Sequence, residues 1–154
     1  MNHSPFPAFT AETAAMQVRL AEDGWNTRTP SVVAATCAID ATWRDRASFL
    51  QGRESIVSFL LRKWCVEFEY RLVAELWAFQ DNRISSRFAY EWKDEDGEWF
   101  RSYGNESCEF DEFGLVRRRF SSINDLPIKE IERKLIWPTG RRPDNHFSMS
   151  DLDL

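Results

Sequence analysis

Cys37-Ala-Ile-Asp-Ala-Thr-Trp-Arg-Asp-Arg-Ala-Ser-Phe-Leu-Gln-Gly-Arg-Glu-Ser-Ile-Val-Ser-Phe-Leu-Leu-Arg-Lys-Trp64 holds a change of period. From Ile39 to about Arg46 it reads as a strand that carries one acid, Asp45. Trp43 and Asp45 share strand parity, so both face one side. After the turn Ala47–Gln51, Gly52 opens an amphipathic helix to Cys65. Ile56, Phe59, Leu60 and Trp64 form its apolar face, with Arg53, Arg62 and Lys63 outside.

Upstream, residues 1–9 contain Pro5 and Pro7 and read as an irregular arm. Ala14, Val18, Ala21 and Trp25 make one stripe along a helix from Thr10 to about Asn26. Thr29-Pro30 starts a second, shorter helix, with Thr as N-cap and Pro where its missing N–H costs nothing.

Downstream the period becomes two. Phe68, Tyr70, Leu72, Ala74 and Leu76 share one strand face, and Ile84, Ser86, Phe88, Tyr90 and Trp92 share a face of the next. Asp81-Asn82, Asp96-Gly97 and Asp111-Glu-Phe-Gly114 are turns, the Asp-Gly pair being the clearest hairpin signal. Trp99–Phe110 returns, and Leu115 to about Ile123 closes the sheet. Gly104 in mid-strand predicts a bulge or bend. Helices followed by a meander predict an α+β fold, three N-terminal helices covering one face of a strongly curved sheet. One domain is expected over residues 1–154, with a core at about 10–123 and a C-terminal extension at 124–154. The extension reads as a short helix at Ile128–Trp137 and an irregular tail that Trp137 pins.

The formal net charge of −5 argues against a nucleic-acid partner. No apolar stretch approaches a membrane span, and no signal peptide is visible, so a cytoplasmic protein is expected. Cys37, Cys65 and Cys108 lack metal or disulfide spacing and read as small buried hydrophobes. His3 and His146, the two histidines, fall in irregular ends, and the acids show no metal-ligand pattern. No cofactor is expected. Arginine outnumbers lysine sixteen to four, which predicts planar ion pairs in a pocket or interface. Seven Trp and twelve Phe fit an aromatic core, a dimer interface or a pocket. Trp25, Trp43, Phe88, Tyr90 and Trp92 are the candidate pocket walls.

Three helices before a bent antiparallel sheet resemble the cone fold of the nuclear transport factor two-like (SnoaL-like, ketosteroid-isomerase-like) superfamily, over about Thr10 to Ile123. Asp40-Ala-Thr-Trp-Arg-Asp45 resembles the strand that carries the general base of ketosteroid isomerases, and Phe110-Asp-Glu-Phe-Gly114 resembles their last hairpin. Trp43-Arg-Asp-Arg46, Gly52-Arg-Glu54, Glu75-Leu-Trp-Ala-Phe79, Arg87-Phe-Ala-Tyr-Glu-Trp92, Trp99-Phe-Arg-Ser-Tyr-Gly-Asn-Glu106, Asn124-Asp-Leu-Pro-Ile128 and Trp137-Pro-Thr-Gly-Arg-Arg-Pro143 resemble an uncharacterised bacterial family of that superfamily. The recurring residues of that family include Arg44, Arg46 and Glu106 here, and Asn is more usual than Asp at position 45.

By the first resemblance, the isomerase base falls on Asp45 and the acid that holds the enolate oxygen on Glu106. The tyrosine that completes that site falls on Ala21, which has no phenol. Strand alternation puts Arg117 and Arg119 on one face and Arg118 on the other, the outer pair sharing the concave face with Glu106. An arginine beside two acids resembles the acid–arginine–acid site of limonene epoxide hydrolase. The candidate catalytic set is therefore Asp45 as base, Glu106 as acid or anchor and Arg119 as oxyanion holder. Their implied task is cofactor-free isomerase, dehydratase or hydrolase chemistry on a small hydrophobic or anionic organic molecule. The alternative is a non-catalytic homodimeric binding or assembly module. In that case the acids serve arginine pairs. Under either reading a homodimer is expected, formed through the convex face that carries Arg87, Glu91, Trp77 and Phe79.

Overall fold

The computed structural model describes residues 7–154, so Pro5 and His3 lie outside the described residues. Thr10 caps α1 (Ala11–Asn26) through a reciprocal bond with Thr13. Helix α2 (Pro30–Ala34) follows, with Pro at its start, though the Thr29 side chain makes no cap bond. Strand β1 (Cys37–Asp45) turns at Arg46, whose φ of 55° is left-handed, into β2 (Ser48–Gln51). Gly52 then leads into α3 (Arg53–Val66). Four strands complete the chain's sheet: β3 (Phe68–Gln80), β4 (Arg83–Lys93), β5 (Trp99–Phe110) and β6 (Val116–Ile128). The expected turn at Ala47–Gln51 is thus a four-residue strand, and the last strand runs five residues past Ile123. The expected helix at Ile128–Trp137 shrinks to a single 3-10 turn at Glu130–Glu132.

The sheet is open and mixed, ordered β2-β1-β6-β5-β4-β3, with β1 and β6 parallel and the remaining neighbours antiparallel. The helices lie on its concave side. An exposed edge strand invites pairing with another chain, and α1 closes that risk along β3. Asn26 both donates to the Leu72 carbonyl and accepts from the Leu72 N–H, at 2.9 and 2.8 Å, and Glu22 accepts from the Ala74 N–H at 2.9 Å. Phe9 reaches the same edge through its N–H to the Asp81 carbonyl and stacks edge-on against Phe110. No helix among the described residues is long and apolar enough to cross a membrane.

One departure from simple alternation matters for the site. Phe110 pairs with Val116 while Glu109 pairs with Arg118, so Arg117 is an extra residue, a β-bulge. Arg117 therefore does not join Arg119 on the concave face. It turns outward with Arg118, and both bind Glu109, at 3.0 and 2.6 Å. Gly104, by contrast, sits in unbroken register between Phe88 and Ile123, with no bulge. Its missing side chain has a different cause. A Cβ there would lie 2.2 Å from Cζ of Phe88, whose ring rests on the glycine.

The tail is docked rather than loose. Trp137 and Met149 pack with Leu135 on Val73 and Ala89 of the convex face. Beneath them Glu91 is fully buried. It accepts from Arg101 Nε at 2.9 Å, from the Leu135 N–H at 2.7 Å and from the Lys134 N–H at 3.0 Å. Arg87 donates to the Leu154 carbonyl at 2.8 Å. Two of the four residues expected to form a convex dimer contact thus serve the tail, while Trp77 and Phe79 remain exposed.

Removing one partner of a buried ion pair strands the other charge. Glu91→Gln is expected to lower unfolding free energy by roughly 3–5 kcal/mol in urea denaturation and to open residues 134–154 to protease. The outer cluster makes a pH prediction. Arg118 and Arg117 hold the Glu109 carboxyl down at about 2. A depressed folded value means that this stabilisation is complete above the ordinary value of 4.5 and is lost as pH falls through about 2. Arg118→Gln should flatten the acid limb of melting temperature against pH within that window.

Candidate functional site

The concave face and the three helices enclose a cavity of about 460 Å³, within the usual range for small-molecule sites. Leu20 of α1 and Val32 of α2 line it and are exposed, which places its mouth between those helices. Its walls are mainly apolar, with Gln17, Glu22, Thr36 and Ser86 among them, and two polar clusters stand out.

The first is built on Arg119. The bulge at Arg117 rephases β6 so that Val116 and Arg119 both face inward. Parallel pairing sets Trp43 directly beside Arg119 and Asp45 beside Ser121, and β5 brings Glu106 to Ser121 from the other side. Arg119 is 5% exposed, and its guanidinium lies against the rings of Trp43 and Trp25, 4.6 and 4.9 Å from their centres. Its Nε donates to Glu106 Oε2 at 2.8 Å and its Nη1 to Asp45 Oδ2 at 3.1 Å. Burial opposes the charge, but Glu106 and Asp45 outweigh it and raise the Arg119 pKa. The cation is permanent.

Two of the three members keep a free atom. Among the described residues nothing bonds to Asp45 Oδ1 or Arg119 Nη2, and Glu106 Oε1 meets only the Cys108 thiol, at 4.0 Å. Burial and Glu106 push the Cys108 thiol well up, so it stays protonated and supplies no thiolate. The carboxylates can therefore accept a proton and later return it, while the guanidinium holds a developing negative oxygen at the same wall.

The second polar place was missed. Lys63 of α3 donates to both Glu67 oxygens at 3.0 Å and to the Tyr90 hydroxyl at 3.2 Å. Burial works against the ammonium, but Tyr90 and Glu67 outweigh it and raise its pKa. Lys63 was expected outside, yet its spacing from Ile56 and Leu60 is seven and three, the phase of the inner face. Arg46 reaches the same hydroxyl at 3.5 Å and Asp125 at 2.6 Å. Tyr70 completes the group, its ring 5.1 Å from that of Tyr90.

Of the expected walls, Trp25, Trp43, Phe88 and Tyr90 line the cavity. Trp92 does not. It lies two residue pairs beyond Tyr90, and its indole stacks on Phe100 at 4.5 Å and donates to Ser102. Ala21 lines the cavity as a methyl group. Arg44 turns away to the carbonyls of Arg46 and Ser121. Of the three cysteines, Cys65 is exposed rather than buried. No group of His, Cys, Asp and Glu among the described residues could hold a metal ion.

Solved structures share this architecture. A pinacolase, BvnE, from Penicillium brevicompactum aligns with a TM-score of 0.63 at 13% identity, over 73% of this chain and 86% of its own. The epoxide hydrolase/cyclase-like enzyme SalBIII, with a role in pyran ring formation in the polyether salinomycin, aligns at 0.62 and 15% identity, over 74% and 93%. A putative SnoaL-like polyketide cyclase from Shewanella denitrificans OS-217 aligns at 0.60 and 14% identity, over 71% and 90%. At such identities the likeness shows the fold, the nuclear transport factor two-like cone. Curated proteins compared by sequence give no match. Residues 7–136 match the model of one family, and the chain belongs to that family: Protein of unknown function (DUF1348).

Proposed function

We propose that the protein is a cofactor-free acid–base enzyme acting on a small, mainly apolar, oxygen-containing molecule, by isomerisation, elimination or addition of water. One observation carries this reading: two carboxylates, Asp45 with one free oxygen and Glu106 with one oxygen met only by the Cys108 thiol, flank one buried guanidinium on a cavity wall. Asp45 Oδ1 takes the proton and, as the acid so formed, returns it at the end of the reaction, Glu106 anchors the guanidinium, and Arg119 Nη2 holds the oxygen on which charge grows. The fold neighbours include an epoxide hydrolase/cyclase-like enzyme and a pinacolase, which supports chemistry at neutral oxygen centres.

The test is a turnover screen with neutral epoxides, hydroxy ketones and unsaturated ketones that fit the cavity. Asp45→Asn should lower kcat by about 10²–10⁴ with little change in ligand affinity. Glu106→Gln should lower it as well. Full turnover in Asp45→Asn would overturn the assignment. Tight ligand binding without turnover of any of these classes would leave a binding module instead.

The same reading includes a homodimer. Trp77, at 74% exposure, and Phe120, at 44%, lie on the part of the convex sheet that the tail leaves open. Exposed aromatic side chains on one open face suit an interface. Sedimentation at micromolar concentration should show a dimer that Trp77→Glu dissociates, and a monomeric wild type would refute this.

A further inference from the structure

The Tyr90 end of the cavity has no part in the acid–base chemistry described above, and its geometry asks for a ligand. A phenol oxygen has two lone pairs and one proton. Lys63 Nζ, at 3.2 Å, and Arg46 Nη2, at 3.5 Å, both donate to that oxygen. With both lone pairs engaged, the hydroxyl can act only as a donor. No described residue accepts its proton, although Tyr90 is 2% exposed and lines the cavity. Tyr70 beside it is 1% exposed, and its hydroxyl also bonds to no described residue.

We propose that Tyr90 donates this hydrogen bond to an uncharged oxygen, a carbonyl or an ether, at the far end of the molecule that Asp45, Glu106 and Arg119 act on. The inference rests on the functional reading above and extends it to a class of substrate. Charge decides against an anionic group here. Lys63 is matched by Glu67 and Arg46 by Asp125, so the pole carries no net charge to hold a carboxylate.

Spacing gives the ligand its length. Along β4, Tyr90 lies four residues from Ser86, the partner of Glu106. That separation is about 13 Å of strand at ~3.3 Å per residue. Phe88 and Ile123 line the stretch between. The substrate is accordingly elongated, apolar in the middle and oxygenated at both ends.

Two shape-matched probes test this by calorimetry: 2-acetylnaphthalene, which has a carbonyl, and 2-ethylnaphthalene, which does not. The wild type should bind the ketone about tenfold more tightly, the effect of one buried hydrogen bond. Tyr90→Phe should bring the two affinities together while that for the hydrocarbon stays the same. Asp45→Asn should keep the ketone preference, so a failure of the catalytic reading leaves this result standing. Equal affinities in the wild type, a preference that survives Tyr90→Phe, or no binding of either probe would overturn the proposal. If Tyr90→Phe folds poorly, tyrosine labelled with ¹³C at Cζ serves in the wild type. The Tyr90 resonance should move on addition of the ketone and not of the hydrocarbon, and an unmoved resonance counts against the contact.

Discussion

A guanidinium held away from water must be neutralised by groups that are themselves held in place, and Arg119 imposes that demand on three strands at once. Asp45 comes from β1 and Glu106 from β5, so the parallel β1–β6 pairing and the antiparallel β5–β6 pairing must both be in register for the charge to be met. The two indoles against it come from β1 and α1, which ties helix packing to the same point. A slip of one residue in any of these strands would turn its side chain to the other face and leave the cation unpaired. The core of the cone and its reactive wall are therefore one arrangement.

The sheet buries a second acid on its opposite face, and the contrast separates structure from chemistry. Glu91 spends both oxygens on Arg101 and on the tail's backbone N–H groups, so nothing remains for a ligand. Asp45 spends one oxygen on Arg119 and keeps the other towards the cavity. Both are buried carboxylates beside an arginine. What differs is unused hydrogen-bonding capacity, which is costly in a core and useful in a site.

Much of this was legible in the sequence because period two survives wherever strand pairing is regular. Alternation alone places Trp43 and Asp45 together and Glu106 opposite β6, and Asp96-Gly97 marks its hairpin. The errors fall where a local event resets the phase or a distant segment intervenes. Arg117 looks inward by alternation, but the bulge adds a residue that no residue type announces. Trp92 has the right parity and lies too far along its strand, a matter of cavity length that alternation does not encode. Lys63 looks outward by its charge, but its helical phase points inward, where a partner such as Glu67 offsets the cost of burying an ammonium. The docking of residues 134–154 depends on Glu91, more than forty positions earlier, and such pairings leave no local pattern.

The ring of Phe88 resting on Gly104 makes the order of evolutionary steps matter. A side chain at position 104 is excluded while the ring is present, because its first carbon would fall inside the ring's own volume. Shortening Phe88 first leaves a void, costly but tolerated by a folded core. A methyl group at 104 can then occupy part of that space. The reverse order passes through an overpacked intermediate. The two sites are thus coupled, each substitution changing the effect of the other. Lineages that reshape the middle of this cavity are expected to do so through position 88 before position 104.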